Sequence, residues 1–233
     1  MASGTPSKRA EVRRVLAEGA GGPVLAPMLE RHAARLEQLP PGRPARDPEA
    51  LARALRAAQQ LYSLAALTVG DGGDALTLAV RTAGPESRAA LVTPPFSVEI
   101  DAMCRLRMVL SANAALIVTL PAPGRLARDA GVAPDVASRV LCDVIRAVGE
   151  HEPDAFILTG HDEEPDPVHD ALGSFYGAGV FRVGSRTTPG VGVWADLEPP
   201  AEPLGDAFLI TTPGEIRPDV DPATVRVGLA AGR

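Results

Sequence analysis

The chain has 233 residues, 45% of them hydrophobic and 22% charged, with 29 acidic against 23 basic side chains and a net charge of −6. That length suffices for one large domain with a sizeable core. An acidic balance without a basic run excludes a phosphate-backbone partner, so no nucleic acid is expected. No run approaches the ~20 apolar residues of a membrane span, so no membrane is expected either.

In chain order, residues 1 to 9 are small and polar and read as a disordered tail ahead of a single domain over residues 10–233. Lys8 is the only lysine and falls in that tail, which removes a buried Schiff-base lysine and a phosphate-gripping P-loop lysine. The N-terminus lacks a signal-peptide core, and Cys104 and Cys142 form no Cys-x-x-Cys pair. A reducing, cytoplasmic setting is expected, with both thiols packed among apolar neighbours.

A short helix over Ala10 to Glu18 stops at a glycine-rich turn, and Pro23 to Met28 reads as a first strand. Asp47-Pro48 supplies a cap and first-turn proline for a helix whose Leu51, Leu55, Ala58 and Tyr62 share one face. Further strands follow at Ala66 to Gly70, at Ala90 to Thr93 with a weaker pattern, at Ala115 to Leu120, at Ala155 to Thr159, at Val180 to Val183, at Val191 to Ala195 and at Ala207 to Thr211. A helix from Pro134 carries a clean apolar stripe through Val140, Val144 and Val148. His32 and His151 sit in helical patterns and are read as solvent-facing.

Eight apolar runs, most of them continuous rather than alternating, suit parallel strands buried on both faces. With intervening helices they imply an α/β fold, a (β/α)8 TIM-type barrel. The connections at Ser185 to Gly190 and Glu198 to Gly205 are too short for ordinary crossover helices, so the barrel is trimmed in its last repeats or one strand is misread. Missing outer helices would leave apolar surface that a homodimer could cover.

The closing stretch Phe208-Leu209-Ile210-Thr211-Thr212-Pro213-Gly214-Glu215-Ile216-Arg217-Pro218-Asp219-Val220-Asp221-Pro222 is a strand, a Pro-Gly loop and a capped helix start. It resembles the final strand and loop of the superfamily of uroporphyrinogen decarboxylase, the cobalamin-independent methionine synthase barrel and the corrinoid methyltransferases. Thr119 to Gly124 is similar to that superfamily's central strand and turn, and Asp71 to Gly84 to its acidic strand-end loop. The resemblance implies a barrel with lyase, decarboxylase-like, or methyltransferase-like chemistry on a carboxylated small molecule, in a divergent and shortened member. Two features depart from it. The segment Ala26 to His32 offers only Arg31, with Arg35 beyond it, where the decarboxylases are arginine-rich, and Pro213-Gly214-Glu215 lacks the cysteine of the methyltransferases' zinc set. No zinc and no other cofactor is expected.

Chemistry at strand ends then has four sources. After Thr159 come His161, Asp162, Glu163 and Glu164, where Asp162 or Glu163 could act as general acid or base and His161 as proton shuttle, or where an acidic loop simply caps the next helix. Asp71 and Asp74 flank Gly72-Gly73; the resemblance implies an acid that meets substrate here, while a turn explains the same letters. Arg186 could grip a substrate carboxylate by its bidentate fork or lie on the surface. Thr211, Thr212 and Glu215 supply further polar groups, with Arg31 the cation near the first strand. The competing reading is a catalytically degenerate barrel that binds a ligand or partner.

Overall fold

A computed structural model describes residues 6–19, 21–40, 42–84, 86–110, 112–160, 166–194 and 207–231. Among them are seven strands: β1 (Val24–Leu25), β2 (Ala66–Val69), β3 (Ala115–Pro121), β4 (Ala155–Thr159), β5 (Gly179–Val183), β6 (Val191–Val193) and β7 (Leu209–Thr211). Ten helices accompany them: α1 (Lys8–Glu18), α2 (Glu30–Leu36), α3 (Pro48–Tyr62), α4 (Asp74–Ala83), α5 (Ser87–Leu91), α6 (Phe96–Leu110), α7 (Pro123–Ala130), α8 (Pro134–Gly149), α9 (Pro167–Phe175) and α10 (Pro222–Ala231).

Every ladder is parallel, in the orders β2-β3-β4-β5 and β6-β7-β1. Placed end to end, these two runs follow chain order around a barrel. Between β1 and β2 the link is a side chain, the Thr68 hydroxyl donating to Pro27 O at 2.6 Å. Between β5 and β6 the chain turns without a helix, and Arg182 N donates to the Thr188 hydroxyl at 2.8 Å. The short connection is thus as the sequence indicates; the following one, within 195–206, lies outside the described residues.

One expected strand is absent. Ala90 and Leu91 end α5, and Val92 and Thr93 form a turn. Ser-Arg-Ala-Ala-Leu is a helix-favouring string, and two β-branched residues before a double proline cannot hold a strand against it. The barrel therefore shows seven strands among the described residues, not eight. At the other end α1 opens at Lys8 with Ser7 as its cap, inside the stretch read as a disordered tail.

The strands' inward faces explain what α1 does. Ala66, Ala115 and Ala155 open β2, β3 and β4, are fully buried, and point into the barrel with Ile117, Ile157 and Leu209. Small side chains there leave room, which Val12, Val15 and Leu16 of α1 fill. The helix is fixed by Asp154, whose buried carboxylate accepts from Arg9 Nε at 2.8 Å, Arg107 at 3.1 Å and Leu116 N at 2.9 Å. The N-terminal end of the barrel is thereby plugged.

Toward the C-terminal ends the inward residues change to threonine. Thr68, Thr119, Thr159 and Thr211 are all buried. Thr119 donates to Val69 O at 3.4 Å, on the preceding strand in the barrel order, and Thr211 to Ala26 O at 2.8 Å, just past the end of the following one. A buried hydroxyl is costly without a partner, so these bonds let a polar layer sit below the mouth.

Candidate functional site at the barrel mouth

The site is built from the segments that leave β1, β2, β3 and β7. After β7, the Thr212 hydroxyl accepts from Met28 N at 3.0 Å and donates to Gly214 O at 2.6 Å, tying this loop to β1. Glu215 then reaches the first turn of α2, accepting from Glu30 N and Arg31 N, both at 3.2 Å. Leu29 gives α2 no side-chain cap, so Glu215 satisfies amides that the helix leaves open.

After β2 the chain makes the turn Gly70-Asp71-Gly72-Gly73. A Cβ at Gly70 would lie 2.5 Å from the Thr119 hydroxyl, and one at Gly73 2.3 Å from Pro121 N, so only glycine lets the turn pass over the end of β3. Two of its N–H groups are taken up by side chains: Gly70 N by Glu30 Oε1 at 2.8 Å and Gly72 N by the Thr119 hydroxyl at 3.2 Å. Asp71 accepts from Ala75 N at 2.9 Å.

Around this turn lies a cleft of about 480 Å³, lined by Arg31, Asp71, Asp74, Arg125, Arg128 and Glu215 among others. Arg31 is more than half exposed and stands 4.0 Å from Asp71 and 3.5 Å from Asp74. Arg125 is held far more tightly, donating to Gly72 O at 2.6 Å, the Thr159 hydroxyl at 2.7 Å, Asp74 at 2.5 Å and Asp129 at 3.3 Å. Arg31 is the looser cation of the two.

Burial sets the protonation of the acids. It pushes Glu30 up to about 8, with the Asp71 charge adding to the shift. Glu99 and Glu215 are pushed well above the carboxylate range, first by burial and then by the charge of Glu30. Asp71 is raised too, by burial and by Asp74, with Ala75 N and Arg31 pulling it back. The mouth therefore keeps fewer negative charges near neutral pH than it has carboxyl groups.

Of the residues singled out from the sequence, Arg31, Asp71, Asp74 and Glu215 meet in this cleft. Thr211 and Thr212 lie beneath it as stitches between β7 and β1. Arg186 is exposed on the β5–β6 connection and is not among the described residues lining the cleft. His161, Asp162, Glu163 and Glu164 lie outside the described residues. His32, read as solvent-facing, is buried, with Nε2 2.7 Å from the Tyr62 hydroxyl. Burial, with Arg35 second, lowers its affinity for a proton.

The zinc set of the resembled methyltransferases does not fit this chain. Cys104 and Cys142 lie on α6 and α8, and burial raises both thiols rather than activating them. Among the described residues no three His, Cys, Asp or Glu are grouped to hold a metal ion.

No family model matches the sequence, and no curated protein matches it. Among solved structures, a methyltransferase from Methanosarcina mazei superposes with a TM-score of 0.74, covering 98% of each chain at 12% identity. The chain is a TIM-type α/β barrel. At that identity the barrel is what the likeness establishes. A 2,3-dimethylmalate lyase of the PEP mutase/isocitrate lyase superfamily also matches, at a TM-score of 0.37 and 10% identity over 90% of this chain and 79% of that one, which is too distant to inform the barrel's site. Among the described residues, no helix of the barrel is long and apolar enough to cross a membrane.

Glu30, Glu99 and Arg125 are site residues that the sequence reading passed over. Glu99 carried a signal: with Ala102, Met103 and Leu106 it occupies positions i, i+3, i+4 and i+7, the buried face of α6. Glu30 follows the apolar run of β1 directly, and Arg125 follows the turn after β3.

Proposed function

We propose that this barrel is an enzyme of the uroporphyrinogen decarboxylase and methyltransferase type, acting at its mouth on a carboxylated small molecule by carbon–carbon lyase or methyl-transfer chemistry that does not use the family's zinc. The observation that carries this reading is the cleft at the strands' C-terminal ends, where Asp71, raised by burial, stands 4.0 Å from the exposed Arg31. Arg31 leaves its loose contacts with Asp71 and Asp74 to grip the substrate carboxylate. Asp71 acts as general acid or base; in a decarboxylation the carbon–carbon bond breaks, its electrons remain on the substrate carbon, and Asp71 delivers the proton. Asp74 and Arg125 hold the rim, while on the β4–α9 connection Asp162 or Glu163 serves as a further general acid or base and His161 as proton shuttle. The structural likeness to a methyltransferase of the same length agrees with this reading at the level of the barrel.

A second reading, a ligand-binding barrel without turnover, is favoured by one observation. The four acceptors around Arg125 leave it little capacity for a substrate. Incubation of the wild-type protein, Asp71→Asn and Arg31→Gln with a panel of carboxylated small molecules, read by mass spectrometry, separates the two. The enzyme reading expects turnover that Asp71→Asn lowers by about 10²–10⁴-fold in kcat, with Arg31→Gln acting mainly on KM. Binding without turnover in the wild type supports the second reading instead.

A further inference from the structure

We propose that Glu30 is a positioning residue, which aims Asp71 into the mouth by taking up the main-chain N–H group of Gly70 at the start of the β2–α4 turn. The turn has no stiffness of its own, since three of its four residues are glycines, with φ of 110°, 79° and 97°. A group that handles a substrate proton must nevertheless be held within about half an ångström of its working place. Here the restraint comes from outside the turn. Glu30, at the start of α2, holds Gly70 N at 2.8 Å and is more than nine-tenths buried.

Its chemistry suits the task as well as its geometry. Other titratable groups around Asp71 are Arg31 on α2, Asp74 on α4, Glu99 on α6 and Glu215 on the loop after β7. A further anion beside Asp71 would drive a proton onto it. Because burial keeps Glu30 protonated near neutral pH, it can accept from the turn through its carbonyl oxygen without adding that repulsion. The negative charge then remains on the residue that faces the cleft.

Asp71 matters here as the mouth carboxyl of the proposed function. The test reads its side chain directly rather than turnover, so a failure of this proposal is distinguishable from a failure of the functional one. Carbon-13 carboxyl NMR gives the titration midpoint of Asp71, and amide hydrogen exchange gives the protection of Gly70, in the wild type and in Glu30→Ala and Glu30→Gln. In Glu30→Ala the Asp71 midpoint should fall toward the ordinary aspartate range and the freed Gly70 amide should exchange at least about tenfold faster. Glu30→Gln, which keeps a carbonyl acceptor and no charge, should restore both toward wild type. An Asp71 midpoint unmoved in folded Glu30→Ala, or a glutamine variant that behaves like alanine, overturns the proposal. Should the alanine variant not fold, the wild type decides: a Gly70 amide exchanging as fast as an open loop also overturns it.

Discussion

Glu30 shows how a single burial shapes the behaviour of the site. Its carboxyl, pushed up to about 8, binds a proton in the folded chain across a range in which the unfolded chain has released it. Its contribution to stability is therefore complete below the unfolded value of 4.5 and is lost as pH rises toward about 8. The slope is about 1.4 kcal/mol per pH unit for one such group. Glu30→Gln should flatten that part of the profile, so that the variant gains on the wild type between pH 5 and 8 in urea unfolding; parallel profiles would contradict it. Asp71 and Asp74 were legible in the sequence because a glycine-rich stretch after an apolar run marks a strand end. Glu30 and Glu99 were not, because a charged residue is normally exposed. Glu30 meets a turn some 40 residues further along the chain, which local spacing does not reveal. His32 escaped for the same reason, its partner Tyr62 being 30 residues away.

Among the elements, α1 carries the most testable load. It reaches the barrel through Val12, Val15 and Leu16, and is held by the Asp154 carboxylate between Arg9 and Arg107. Asp154→Ala leaves Arg9, Arg13, Arg107 and Leu116 N without their shared partner and should cost about 3–5 kcal/mol, with amide exchange in residues 8–18 rising ahead of that in β3 and β4. Ala115→Leu fills the space that α1 occupies and should cost about 1–3 kcal/mol by overpacking, measured by thermal unfolding. Uniform exchange across α1 and the strands in Asp154→Ala would show that the helix is not separately held. The strands themselves were readable, since burial on both faces writes each as a continuous apolar run. Two elements were not. Ala90 to Thr93 is apolar because α5 packs into the helical shell, and Lys8 and Arg9 are polar because α1 meets the barrel through a salt bridge at its first turn.

At the scale of the whole molecule, the chain is a barrel with a plugged N-terminal end and an acidic, partly protonated mouth. The plug follows from the alanines that open β2, β3 and β4, and the mouth from threonines and glycines at the other ends of the same strands. This polarity gathers the side chains of the proposed site at one end, on the side of Asp71 and Arg31. Most of the order of strands and helices was visible in the sequence, but the gathering of α2, α4 and the β7–α10 loop around one turn required the barrel arrangement. Under the proposed function a carboxylated ligand binds at this mouth. That binding is tested most directly by hydrogen exchange with and without the tightest-binding carboxylate from the panel, in the wild type and in Arg31→Gln. Ligand protection should be confined to residues 70–75 and 212–216 and the start of α2, and lost in Arg31→Gln. Protection elsewhere on the barrel, or undiminished binding by Arg31→Gln, would contradict it.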